Sequence, residues 1–348
     1  RIAQHNCGND TPDRNEFDKI SFRFHYANPV DRFIRGASYF ISGSSMAGLQ
    51  TGRVGAGLKS PNGKTYFYST IKIMYRIDST DAHYLLYPEY WTTGKHNSTL
   101  NFGLNHNYRY PSGNGQLNIN LRTSALPNDY NFSALNFTAL HTNNIGKTIF
   151  KTRTFLQLGL GDLWPEESRL YLAGANPEEL MINPFTRATG FIPSDWTGYG
   201  SGINHFHAGG GLNLRGYAGY LAPFEDDSGL VRSTNRGTSG AAVNAELEFN
   251  RFIRWNPRFL RNTFKLTTYL FGDAGLINAN TVNEPFLPAN FRADAGVGAA
   301  LTIRRWGVLE LVNPLTIRFD MPLWLNRIPA SEQEYFAFRW MFGVSRAF

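Results

Sequence analysis

The sequence predicts an all-β protein: a transmembrane antiparallel β-barrel of about fourteen strands, within a range of 12–16. Three observations carry that prediction. Apolar and polar residues alternate with period two over segments of about 10–14 residues. Aromatic residues reach 15% while charged residues are only 18%. Mean hydropathy is nevertheless negative, so apolar side chains are interleaved with polar ones and not grouped in blocks.

The alternation is explicit in several segments. Leu315, Ile317, Phe319 and Met321 share one face of LTIRFDMPL, and Thr316, Arg318 and Asp320 share the other. Leu100, Phe102, Leu104 and Tyr108 alternate with Asn101, Gly103, Asn105 and Asn107. Phe67, Ile71, Ile73 and Tyr75 oppose Lys72 and Arg76. Successive side chains of a strand point to opposite faces, so this period means one apolar and one polar face. Soluble strands average about 5–6 residues, whereas a tilted strand crossing a bilayer needs about 9–11. A soluble sandwich with a solvated polar face is the weaker alternative, because it explains neither the strand length nor the aromatic excess.

Strands are expected at 20–28, 36–44, 49–58, 65–77, 83–94, 99–110, 116–126, 130–141, 148–161, 238–252, 263–276, 291–305, 314–323 and 335–348. Turn clusters such as SPNG, PSGNG, LPND and NNIG separate them. A slip in the alternation at Ala134–Leu135 predicts a bulge. Residues 162–237 show no good alternating strand and form one long, aromatic-rich loop. A loop this long in a compact architecture is functional or disordered. Strand parity puts it on the extracellular side, with five strands after it. The final segment places Phe336, Phe338, Trp340, Phe342, Val344 and Phe348 on one face, as a lipid-facing strand would. Residues 1–348 thus read as one barrel domain, and a soluble module is expected only upstream of this chain, if at all.

No stretch approaches the roughly 20 apolar residues of a spanning helix. The net charge is +7, but no Lys/Arg run or basic helix is present, so no nucleic acid partner is expected. One cysteine, Cys7, excludes an intramolecular disulfide. His205 and His207 form a lone His-x-His pair with no third ligand nearby, and neither metal nor other cofactor is expected. Glu166–Glu167, Glu178–Glu179 and Asp226–Asp227 read as solvated loop acids, and the chain is expected not to be an enzyme.

The stretch GGGLNLRGYAGYLAP is rich in glycine and rings around one cation, Arg215. With Leu214-Arg215-Gly216-Tyr217, then AAVNAELEFNRF, then Phe271-Gly272-Asp273-Ala274-Gly275, DAGVGAAL, LTIRFDMPL and GVSRAF in order, residues 205–348 resemble the Omp85 superfamily of outer-membrane assembly and two-partner secretion barrels. That resemblance implies a location integral to the bacterial outer membrane, in contact with its lipid and with other outer-membrane or periplasmic proteins. It implies a loop folded back into the lumen, with Arg215, Gly216 and Tyr217 as its motif. Trp340, Phe342 and Phe348 resemble the C-terminal aromatic signal of such barrels. The family usually has sixteen strands and soluble modules ahead of the barrel, and this chain departs from both.

Strand phase adds partners independently. Asn244, Glu246 and Glu248 face away from Val243, Ala245, Leu247 and Phe249, and Asp273 faces away from Leu266 and Leu270. Two inward carboxylates on adjacent strands, Glu246 and Asp273, are therefore expected to receive Arg215, with Tyr217 stacking on Phe271. The expected role is assembly or translocation of outer-membrane or secreted proteins. Alternatives are a membrane anchor or partner-binding scaffold for an attached domain, and, less well supported, a passive porin.

Overall fold

The computed structural model describes residues 22–29, 34–46, 48–77, 91–183, 205–219, 223–225, 231–233, 235–249, 263–278, 291–304, 314–328 and 334–348, with 186, 193 and 196. Eight strands precede the long loop: β1 (Phe22–Pro29), β2 (Ala37–Met46), β3 (Leu49–Lys59), β4 (Thr65–Arg76), β5 (His96–Tyr110), β6 (Gly113–Ser124), β7 (Asn131–Ile145) and β8 (Thr148–Leu163). The loop carries β9 (Leu170–Tyr171), the helix α1 (Pro177–Ile182), β10 (Pro223–Glu225), β11 (Val231–Ser233) and β12 (Arg236–Gly237). Five strands follow: β13 (Gly240–Glu248), β14 (Phe264–Ile277), β15 (Phe291–Ile303), β16 (Leu315–Leu325) and β17 (Met341–Val344).

The eight and the five form one 13-stranded antiparallel meander, in which sequence neighbours pair and β8 pairs with β13 across the loop. Strand lengths of 15 residues in β5 and β7 and 16 in β8 exceed what a bilayer crossing requires. Side chains sort by face. On β8, Leu156, Leu158 and Leu160 are exposed while Phe155 and Gln157 are buried. On β14, Leu266 and Leu270 are exposed while Tyr269, Phe271 and Asp273 are buried. The exposed face is apolar, while the buried face mixes polar and charged groups with rings; a water-soluble sheet would not leave these leucines outside, so the outer surface is a lipid-facing one.

The sheet wraps around its own loop. Loop residues bond to inward side chains of β4, β5 and β6 through Lys72, Asn97 and Arg122, and to β13, β14 and β16 through Glu246, Asp273 and Arg318. One segment reaching opposite walls requires a curved, barrel-like sheet with the loop in its lumen. The fold is an antiparallel transmembrane β-barrel filled by its own connection.

Three details differ from the sequence expectation. The strand expected at 83–94 lies largely outside the described residues, and β4 pairs directly with β5. The bulge sits at Asn131–Ser133 instead of Ala134–Leu135, where β7 and β8 run in regular register. It faces Gly161, whose φ of +102° and contact with Asn131 O make a side chain there strained. Finally, the expected strand at 335–348 is regular only over β17, and Ser345, with φ of 75°, turns the chain inward.

Placing an arginine at Leu270, near the middle of β14 and 47% exposed on the lipid side, is expected to cost about 2–4 kcal/mol in a bilayer. Urea unfolding of Leu270→Arg in liposomes, compared with wild type, measures this; an unchanged midpoint would contradict the lipid-facing assignment.

Candidate functional site: a buried arginine in the lumen

The loop enters on a backbone that few residues tolerate. Gly211 has φ of +51°, and a Cβ there would lie 2.5 Å from Tyr171 O. Asn213, at φ 62°, follows as a non-glycine in the same left-handed region. A 3₁₀ turn then spans Arg215–Tyr217, all three residues buried. Gly216 packs so closely that a Cβ would sit 2.7 Å from Asp294 Cβ. Glycine is thus required at the motif's middle position by proximity to the wall.

Arg215 is fully buried, at 0% exposure. Its Nε donates to Asp273 Oδ2 at 2.7 Å and Nη2 to Asp273 Oδ1 at 2.9 Å, a two-pronged bond. Nη1 donates to Glu246 Oε1 at 2.7 Å. The guanidinium lies over the Phe271 ring, 4.0 Å from its centroid. The planar fork of arginine fits a carboxylate in two bonds and stacks on a ring at once, which lysine cannot do. Burial opposes the charge, but Asp273 and Glu246 hold the guanidinium protonated. Asn244 Nδ2 donates to Asp273 Oδ1 at 3.1 Å and to Asn213 O at 3.1 Å, tying wall and loop together. Arg153 on β8 joins them from the other side, through Asn244 Oδ1 and Gly211 O at 2.9 and 2.7 Å.

The other sequence-derived residues fall as follows. The Phe271 face is taken by Arg215, and the Tyr217 hydroxyl reaches Asn326 Oδ1 at 2.8 Å and Arg327 O at 3.1 Å, clamping the turn to the end of β16. Trp340 stacks under the His205 ring at 3.8 Å, and Phe342 packs with Phe206 and Trp196. Phe348 lies with its ring 5.9 Å from the Arg215 guanidinium, at the lumenal site and not on a lipid-facing strand. Only Phe336 and Phe338 of that face are strongly exposed, at 70% and 72%. The two histidines take separate partners: His205 Nδ1 meets Trp340 O at 2.9 Å, and His207 Nδ1 meets Arg318 Nη2 at 2.6 Å. Asp226–Asp227 lie outside the described residues.

Several residues of the site were not singled out from sequence. Arg346 pairs with Glu246 and, at 2.9 Å, with Glu248, which also takes Lys151 at 2.6 Å. Arg318 pairs with Asp320, which accepts from Tyr269 at 2.6 Å. Strand phase makes Glu248, Lys151, Arg318, Asp320 and Tyr269 inward but puts Arg346 on the face of Phe342 and Val344; Arg346 reaches the lumen because β17 ends at Val344 and the chain turns at Ser345. Of the loop acids expected to be solvated, Glu167 and Glu178 are buried while Glu166 is half-buried and Glu179 exposed; Glu178 takes Lys72 at 2.5 Å, Arg122 at 2.8 Å and Ser168 at 2.5 Å. Burial would raise its carboxyl, yet Arg122 and Lys72 hold it well below the usual range. Burial pushes Glu167 up to about 7, despite the bond from Asn97.

The edge of β17 turned away from β16 is also occupied. His207 N donates to Phe342 O at 2.9 Å, and Phe342 N donates to His205 O at 2.6 Å, in parallel sense. The loop therefore covers part of this edge with a single parallel β-bridge at Phe206, where an unpaired edge would otherwise offer itself to another chain.

The class so defined is a transmembrane β-barrel whose lumen holds an arginine-anchored loop. No family model matches the chain, and no curated protein matches it. Among solved structures it is similar to CdiB from Escherichia coli, at 14% identity and a TM-score of 0.46, covering 93% of this chain and 49% of that one. It is similar to BamA from Haemophilus ducreyi lacking POTRA domains 1–3, at 14% identity and 0.45, covering 94% and 63%. A BenF-like porin from Pseudomonas fluorescens Pf-5 matches at 10% identity and 0.42, covering 93% and 66%. The chain spans less than two thirds of the length of each.

Arg215→Ala leaves buried Asp273 with no cation and Glu246 with Arg346 alone, and is expected to cost about 3–5 kcal/mol, with a smaller loss for Arg346→Ala, whose side chain is 22% exposed. Urea midpoints of the detergent-solubilised barrels compare the two. His207 supplies a pH test. Burial, then Arg318 and Arg215, hold its imidazole well below the usual range. The unfolded chain takes up that proton near pH 6.5 while the folded ring resists it, so stability is full above about 6.5 and falls as the pH drops below it. The urea midpoint of wild type should drop between about pH 7.5 and 5.5 by more than that of His207→Asn.

Proposed function

We propose that this chain is the membrane barrel of an Omp85-like protein that assembles or translocates other proteins at the bacterial outer membrane. The observation that carries the reading is the loop motif Leu214–Tyr217 with Arg215 bound to Glu246 and Asp273 on the first two strands after the loop. The order of motifs in residues 205–348 supports it, and five strands follow the loop. No reacting group is needed. Arg215, Gly216 and Tyr217 act as a latch that holds the loop against one wall, and Glu246, Asp273 and Phe271 are its keeper. With the loop latched, the bridge made by Phe206 stays on β17 and part of that edge is covered. Releasing the latch would free that edge for a client strand, by the same main-chain pairing. Lipid meets the apolar exterior, and partners in the outer membrane or periplasm deliver the client.

The test is client folding into liposomes. Vesicles containing this barrel, with any upstream modules of its full-length protein, are expected to accelerate insertion of an unfolded outer-membrane protein about tenfold or more over empty vesicles. Arg215→Lys, which keeps the charge but not the fork, should lose most of that gain while remaining folded. Equal rates with and without the barrel, together with steady single-channel conductance, would overturn assembly in favour of a pore; equal rates without conductance would favour an anchor.

A further inference from the structure

Between the loop and the inner wall of β2–β8 lies a cavity of about 310 Å³. Small-molecule sites begin at roughly 300 Å³. The wall carries three cations, Arg53 on β3, Lys72 on β4 and Arg122 on β6. Arg53 and Lys72 stand directly opposite each other in the β3–β4 register. Like charges so placed destabilise a strand pair unless something neutralises them. One carboxylate, Glu178, serves both Lys72 and Arg122. The other acid on the wall, Glu179, is engaged by the backbone N–H of Asn176 at 3.0 Å. Arg53 rests on the Phe40 ring, 4.8 Å from its centroid, with its side chain exposed to the cavity. Among the described residues the cavity lining thus carries three cations and two carboxylates.

Next to these cations runs a row of primary amides. Asn120 on β6 is opposite Asn136 on β7, which is opposite Gln157 on β8. Gln157 Nε2 is spent on Thr238 O at 2.7 Å. Asn120 Oδ1 and Asn136 Oδ1 are buried and accept no hydrogen bond among the described residues. A buried acceptor left so opposes folding, because it has given up its water without a replacement. What satisfies this wall must bring donors to the amides and negative charge to the cations. Hydroxyl groups and a carboxylate on one small molecule do both.

We propose that the cavity binds a small acidic saccharide, its carboxylate held by the Arg53, Lys72 and Arg122 group and its hydroxyls by Asn120 and Asn136. This site lies on the far wall from Arg215 and does not depend on the assembly reading. The probe is D-glucuronate, titrated calorimetrically into the detergent-solubilised barrel, with D-glucose and acetate as the two halves of its chemistry. Glucuronate is expected to bind at least tenfold more tightly than either control. Arg53→Gln and Asn136→Leu should each weaken it about tenfold while leaving the urea midpoint close to wild type. Glucose or acetate binding as well as glucuronate, or no glucuronate heat at all, would overturn the proposal. So would folded variants that bind as wild type does. If a variant does not fold, the comparison of the three probes on wild type decides alone.

Discussion

A guanidinium with no exposure to water is the constraint on which the lumen is organised. An isolated buried charge is worth many kcal/mol against folding, and only close partners make it tolerable. Arg215 obtains them from two adjacent strands and a ring beneath. Those acids are held in turn by Asn244 on β13 and by Arg346, which follows β17. The glycines beside the arginine are then explained by proximity: the backbone must come within contact of Asp294 for the fork to reach Asp273 and Glu246.

Charge compensation repeats around the loop, with different residues on each wall. On the β4–β6 side, one acid of α1 receives two wall cations. On the β16 side, a neutral imidazole accepts from an arginine whose own charge is met by Asp320. The loop is thus pinned at separate points by ionic contacts removed from water. Its apolar contacts are concentrated near the motif, where Leu212, Leu214 and Tyr217 pack with Leu172, Ile277 and Leu325. A loop held this way is specific in position without being part of the lipid-facing sheet.

Much of this was legible in the sequence, because two-residue periodicity is a local signal. It sorted Glu246 and Asp273 inward and Leu266 and Leu270 outward, and the gap in periodicity marked the loop. The remainder depends on contacts distant in the chain. Nothing local says that Phe271 would stack with Arg215 while Tyr217 turned to Asn326. The ring-lined segment at 335–348 obeyed the strand period, yet its end leaves the sheet at Ser345 and enters the lumen. Periodicity reports which face a residue would take if the strand continued; it does not report where pairing stops.

The direction of the chain gives the latch a consequence for the order of events during assembly. Arg215 precedes both of its acids in sequence, by 31 and 58 residues, and Ala347 O lies where a Cβ on Gly209 would be. Arg215 therefore has neither acid in place until β13 and β14 have paired, and the loop lies against the last residues of the chain. Pairing of β13 with β14 is thus a condition for the ionic anchoring of Arg215, because only the paired strands set Glu246 and Asp273 side by side.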